Sequence, residues 1–239
     1  MSIVTRHFDY HDEDQHFDAF LASAPGALSR PTVLVAHAWG GRSPFEEGRA
    51  EALAELGFTA VAIDLFGKGV RGNSKEENAA LIRPLMADRA LLQRRMIAAL
   101  EAARAQPEVH SAKIAAIGYC FGGLCVLDLA RIGTDVFGVA SFHGLLAPPA
   151  NLAPAPRIST RVLVLHGYDD PMAPPEAMQA LARELTAAGA DWQIHAYGHT
   201  LHSFSVPGRE DPELGVRYNA TAERRSWHAL REFLGELFD

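Results

Sequence analysis

The segment Gly118-Tyr119-Cys120-Phe121-Gly122-Gly123 limits what this chain can fold into more than any other. It follows the run Lys113-Ile114-Ala115-Ala116-Ile117 and leads into Leu124-Cys125-Val126-Leu127, so a strand runs into a thiol flanked by glycines and a helix departs. That layout makes a strained strand-to-helix turn that lifts a nucleophile above a parallel sheet, with cysteine where serine is commoner. Glycines are needed because nothing with a Cβ fits where the turn presses strand against helix. The departing helix brings backbone N–H groups and the positive end of its dipole, which favour a thiolate and a developing oxyanion. A buried structural cysteine in a glycine-rich turn is the competing reading, so the decision rests on what lies downstream.

The flanking sequence predicts the sheet that such a turn requires. Ile3–Tyr10 and Gln15–Ala22 read as two short strands around a His-Asp-Glu-Asp turn, an antiparallel hairpin at one sheet edge. Strands and helices then alternate. Thr32–His37 is an apolar strand behind Pro31. Ser43-Pro44-Phe45-Glu46 has capping-box spacing with proline at the first helical position, and Gly57 closes that helix. Phe58–Ile63 is the next strand, and residues 65–83, with Gly67, Gly69, Gly72 and Asn73, read as loop. A long helix is expected from about Pro84 to Ala105 with Leu85, Leu92, Met96 and Leu100 as its inner stripe.

Strand 112–118 and a helix ending at Gly133 flank the Cys120 turn. Val136–Phe142 and Arg161–His166 are two further strands, separated by a loop carrying Pro148, Pro149, Pro154 and Pro156. A helix from Pro175 to Gly189, a strand over 191–197 and a last helix over roughly 220–238 complete the pattern. Apolar strands between amphipathic helices predict an α/β fold: a mostly parallel sheet of seven to eight strands, helices on both faces and an N-terminal antiparallel hairpin. A length of 239 residues suits one domain, 1–239.

Composition narrows the partners. A formal charge of −7 gives no footing for nucleic acid or an anionic membrane. The start, MSIVTRHFDYHDEDQHF, is too polar for a secretory signal, and no apolar run approaches a membrane span. The two cysteines, Cys120 and Cys125, face different directions on a turn and helix and make a poor disulfide pair. That fits a reducing compartment, so a cytoplasmic protein is expected. No Cys-x-x-Cys pair supports thiol–disulfide exchange, and no cluster has metal-ligand spacing, so neither metal nor cofactor is expected. With the apolar residues absorbed by aliphatic stripes, a monomer is the default.

Ligand sites in such folds lie at the carboxyl ends of the strands. Those ends carry His37-Ala38-Trp39-Gly40-Gly41, Asp64-Leu65-Phe66, Cys120, His166-Gly167-Tyr168-Asp169-Asp170, and Gly198-His199-Thr200-Leu201-His202-Ser203-Phe204. The order nucleophile, acid, histidine is that of the α/β-hydrolase triad. A cysteine nucleophile needs a base for its proton, and the base needs an orienting group on its other ring nitrogen. Asp170 and Asp169 compete as the acid; Asp170, three residues after Gly167 and opening Asp-x-x-Ala-Pro, is preferred. His202 and His199 compete as the base, and His202 is preferred because Ser203-Phe204 follows it. His37, His143 and His166 end strands and read first as packed, hydrogen-bonded histidines, with His143 the one expected in a pocket wall.

Taken together these residues resemble the dienelactone hydrolase (carboxymethylenebutenolidase-like) family, a cysteine-using branch of the α/β-hydrolases. The matching pieces are His37-x-x-x-Gly41, Asp64-Leu65-Phe66, Gly118 to Gly123, His143-Gly144, Gly167-x-x-Asp170-x-x-Ala-Pro174 and His202-Ser203-Phe204. The resemblance implies Cys120 as nucleophile, His202 as general base and acid, and Asp170 as its orienter. It implies an oxyanion hole from the backbone N–H groups of Phe121 and Trp39. Two departures stand out. Ala38 occupies the place of a family glutamate that interacts with the resting thiol, and Val206 replaces a carboxylate-binding arginine, for which Arg42, Arg71, Arg83, Arg89 or Arg217 would have to substitute.

The expectation is therefore a hydrolase of small esters or lactones working through a Cys-His-Asp triad, with Tyr119, His37, Ala38, His143 and Val206 as pocket residues. A thioesterase or acyl transferase on the same triad is one alternative. A non-catalytic, ligand-binding or redox-sensing protein of the same fold is another, although a sensor thiol needs no ordered triad. The substrate depends on loops 65–83, 144–160 and 205–219, which composition does not shape.

Overall fold

The computed structural model describes residues 2–152 and 157–238, so Pro154 and Pro156 of the expected proline-rich loop lie outside the described residues. Eight strands form a mostly parallel sheet in the order β1-β2-β4-β3-β5-β6-β7-β8. They are β1 (Val4–Asp12), β2 (Gln15–Ser23), β3 (Arg30–Ala36), β4 (Thr59–Ala62), β5 (Val109–Tyr119), β6 (Gly138–Phe142), β7 (Arg161–Gly167) and β8 (Trp192–Tyr197). The hairpin β1–β2 is antiparallel, with Asp9 opposite Asp18, and β2 runs antiparallel to β4. The pairs β3–β4, β6–β7 and β7–β8 are parallel. Contacts gather into two compact units, one ending at Ala116 and one beginning at Ile117.

In the first unit, α1 (Pro44–Glu55) starts at the expected capping box. The Ser43 hydroxyl accepts from the Phe45 N–H, and the Glu46 carboxylate accepts from the Ser43 N–H at 2.9 Å. The expected loop over 65–83 and helix over 84–105 need correction. Two helices occupy this stretch, α2 (Lys75–Ala87) and α3 (Arg89–Arg104). Ser74 caps α2 by accepting from the Glu77 N–H at 3.1 Å, so Pro84 lies inside that helix rather than at the start of one. Asp88 makes the break. Its ψ of 90° leaves the helical region, its N–H donates to the Pro84 carbonyl, and its side chain accepts from the Leu91 N–H to start α3. The inner stripe stands nonetheless: Leu85, Leu92, Met96 and Leu100 are all buried.

The second unit holds α4 (Phe121–Arg131), α5 (Pro175–Ala187) and α6 (Ala220–Phe238) with β6, β7 and β8. Buried Val139, Ala140, Val162, Leu163, Val164 and Leu165 make its parallel strands read as continuous apolar runs. Arg131, at the end of α4, has a buried guanidinium that bonds Glu184 of α5 at 2.7 and 2.9 Å, Asp128 at 3.3 Å and the Leu146 carbonyl at 2.8 Å. The stretch 205–219 is more ordered than a loop. Two short antiparallel strands, β9 (Glu210–Asp211) and β10 (Val216–Arg217), flank a turn of 3-10 helix over Pro212–Leu214. No helix among the described residues is long and apolar enough to cross a membrane.

Candidate active site

Cys120 sits between β5 and α4 with φ 55° and ψ −114°, a backbone conformation that non-glycine residues rarely adopt. Such strain costs on the order of 1–3 kcal/mol and persists only where the surroundings over-determine it. Here the Cys120 N–H donates to the Phe142 carbonyl at 3.0 Å, and the Cys120 carbonyl accepts from the Gly123 N–H at 3.0 Å. The flanking glycines are obligatory. A Cβ on Gly118 would lie 2.1 Å from the Gly122 carbonyl oxygen, and one on Gly123 would lie 2.6 Å from Ser141 Oγ. The turn therefore presents the half-buried thiol at the start of α4, where N–H groups lack intrahelical acceptors. Phe121 is the first residue of that helix. Cys125 is a free, buried thiol on α4.

Asp170 lies in the loop after β7. Its own N–H donates to the Gly167 carbonyl at 3.2 Å, and its carbonyl accepts from the Ala173 N–H at 3.3 Å. The ring of His166 spans the same loop, with Nε2 2.8 Å from the Ala173 carbonyl oxygen. One carboxylate oxygen of Asp170 accepts from the Met172 N–H at 2.8 Å; the other lies 2.7 Å from Nδ1 of His202. His202 is fixed by its backbone as well, donating to the Gly215 carbonyl and accepting from the Arg217 N–H, each at 3.1 Å. It thus forms a bridge to Val216 beside β10.

Nε2 of His202 is buried and makes no ordinary hydrogen bond in this conformation, yet the Cys120 sulfur is near enough to act on it. Burial alone would lower the His202 pKa. The negative charge of Cys120 and the hydrogen bond to Asp170 overcome it and push the value up to about 10. A histidine so placed holds its second proton well above the ordinary imidazole range. The competing residues lie apart: His199 is fully exposed, with Nδ1 4.0 Å from the exposed Asp169.

Of the expected pocket residues, Tyr119 is buried with its ring against Phe142 at 4.7 Å, and Val206 is half-buried. His143 packs against His202, with ring centroids 5.2 Å apart. His37, Ala38 and Trp39 lie in the first unit at the end of β3. His37 places Nδ1 2.7 Å from the Ala38 carbonyl and accepts from the Leu65 N–H at Nε2, and burial lowers its pKa to about 3. It is a neutral, structural ring. The Ala38 N–H donates to the buried Glu46 carboxylate at 3.2 Å. Arg42 pairs with Asp18 and Glu47, and Arg71 donates to the carbonyls of Arg42 and Val70. Ser205, which sequence reasoning passed over, is buried with its hydroxyl 2.8 Å from Nε2 of His143. No sequence signal marks it beyond its place three residues after His202. Among the described residues no His, Cys, Asp and Glu cluster could hold a metal ion.

Known proteins match this chain along most of its length. The model of the dienelactone hydrolase family matches residues 17–238. An uncharacterized protein of Caenorhabditis elegans is 38% identical over 149 residues, covering 62% of this chain and 94% of its own. Carboxymethylenebutenolidase 1 of Cupriavidus pinatubonensis is 26% identical over 218 residues, covering 87% of this chain and 90% of its own. The crystal structure of a dienelactone hydrolase-like promiscuous phosphotriesterase from metagenomic libraries superposes with a TM-score of 0.92 at 37% identity, covering 100% of both chains.

Proposed function

The chain belongs to the dienelactone hydrolase family and is a hydrolase of ester bonds, and we propose that it cleaves small esters or lactones through a Cys120-His202-Asp170 triad. The observation that carries the reading is the His202 imidazole, bonded to Asp170 on one nitrogen and raised by the Cys120 charge on the other.

The Cys120 thiolate attacks the carbonyl carbon and a C–S bond forms. The resulting oxyanion is held by the Phe121 N–H at the start of α4. Removing one such donor typically costs about 3 kcal/mol of barrier. As the C–O bond breaks, the proton on His202 Nε2 passes to the leaving alkoxide. The acylated sulfur no longer carries charge, so the largest influence raising His202 disappears while burial persists. The imidazole stays neutral and can then take a proton from water. The hydroxide adds to the thioester, the C–S bond breaks, and the thiolate–imidazolium pair returns. One residue thus serves as acid in the first half and base in the second.

The likeness to the phosphotriesterase favours a second reading, in which the same thiolate attacks phosphorus and expels an aryloxide. A substrate panel tests both: p-nitrophenyl acetate, a simple lactone, an acyl thioester and an aryl phosphotriester. Ester or lactone turnover abolished in Cys120→Ala and largely kept in Cys125→Ala is the expected result. Equal loss in both variants would move the nucleophile elsewhere. A marked preference for acyl thioesters would make the protein a thioesterase on the same triad.

A further inference from the structure

We infer that His143 and Ser205 form a positioning pair that holds the plane of the His202 imidazole between Asp170 and Cys120; this rests on the triad proposed above. The bond from Nδ1 to Asp170 holds one edge of the His202 ring, but a single hydrogen bond lets χ1 and χ2 rock together. Packing against the ring limits that rocking. His143 directly follows β6, is wholly buried, and holds φ 39°, unusual for a residue with a side chain. Its N–H donates to the Leu165 carbonyl at 2.9 Å, which pins it to the end of β7.

From there the His143 ring touches both sides of the reaction centre. It crosses the His202 ring at 68° with centroids 5.2 Å apart, and crosses Phe204 at 83° and 5.3 Å. On its other side lies Tyr119, the neighbour of Cys120, at 6.0 Å. Nε2 of His143 and Oγ of Ser205 are 2.8 Å apart, and both groups are buried. Ser205 is on the same loop as His202, so this bond ties the loop that carries the base to the strand end that faces it. An apolar pair would fill the same space without needing to match a donor to an acceptor. The polar pair adds direction, and a misplacement of about 1 Å at a reacting group can cost roughly 100-fold in rate.

The test compares His143→Phe, Ser205→Ala, their double variant and Ser205→Thr. Each is assayed for kcat and KM on p-nitrophenyl acetate, for iodoacetamide labelling of Cys120 against pH, and for denaturant midpoint. Expected is a roughly tenfold to hundredfold fall in kcat with KM little changed for His143→Phe and Ser205→Ala. The double variant should be no slower than the worse single one, because both remove the same bond. Ser205→Thr, which keeps the hydroxyl, should retain activity. Labelling at about pH 6 should slow in step with kcat, since a swung imidazolium no longer faces the sulfur. Wild-type kcat and labelling in both single variants would overturn the inference, as would additive losses or an inactive Ser205→Thr that is folded. Should His143→Phe fail to fold, the Ser205→Ala and Ser205→Thr pair decides alone. Activity surviving in Cys120→Ala would instead sink the triad itself, whatever the His143 variants do.

Discussion

His202 Nδ1 lies 2.7 Å from a carboxylate oxygen of Asp170, with 2% and 0% of the two side chains exposed. The residues are 32 positions apart and meet only because the loops after β7 and β8 turn toward each other. A charge-assisted bond in so dry a place fixes which ring nitrogen faces Asp170 and turns Nε2 away from it.

Asp170→Asn is the sharpest test of that bond. The amide keeps the volume of the carboxylate but offers an N–H where an acceptor is required, or lets the ring adopt the wrong tautomer. Ester turnover should fall by roughly 100-fold to 10,000-fold while the protein stays folded. Steady-state kinetics beside circular dichroism would check it. A loss under about tenfold would show that Asp170 does not orient the base.

The raised pKa of His202 links stability to pH. Its folded value, about 10, lies above the ordinary 6.5, so folding gains the full benefit of the charged ring below pH 6.5. That benefit disappears as pH rises toward about 10. The decline in denaturant midpoint should appear above about pH 8.5, because below the ordinary thiol pKa an unfolded cysteine holds a proton that matches the one on the folded His202 ring. The decline should be smaller in Cys120→Ala, which removes the largest influence raising the ring. An identical decline in both proteins would contradict the thiolate–imidazolium pairing.

Much of this arrangement is legible in the chain because its parts are local. Gly118 to Gly123 specify the turn by sterics alone, and the apolar runs before Cys120, His143 and His166 mark strand ends. The preference for Asp170 over Asp169 and for His202 over His199 rests on likeness to the acid and histidine loops of the α/β-hydrolases; Asp170 and His202 are buried, and Asp169 and His199 are exposed. What stayed hidden depends on contacts across sequence. Asp88 serves as the end of one helix and the start of the next, and Pro84, a residue that favours a first helical turn, sits inside the helix that Ser74 starts. The two-residue strands β9 and β10 are too short to carry a periodic signal, yet Gly215 and Arg217 hold the His202 backbone. Ser205 bonds to His143, 62 residues away, a pairing that no local spacing carries.

Arg131 offers a prediction about folding rather than chemistry. Its buried guanidinium answers Asp128, Glu184 and the Leu146 carbonyl, tying α4 to α5 and to the chain beyond β6. Arg131→Ala leaves two carboxylates without their cation and should destabilise the protein by about 3–5 kcal/mol in denaturant titrations. A change below about 1 kcal/mol would mean that water replaces the guanidinium at little cost.

In the proposed reaction a carboxylic acyl group passes through the Cys120 sulfur. Acid quenching during turnover of p-nitrophenyl acetate, followed by peptide mass spectrometry, reads this directly. Expected is one acetyl group on the peptide containing Cys120, accumulating when His202 is replaced by alanine and absent from Cys120→Ala. An acetyl group on another residue, or steady turnover in Cys120→Ala, would contradict it.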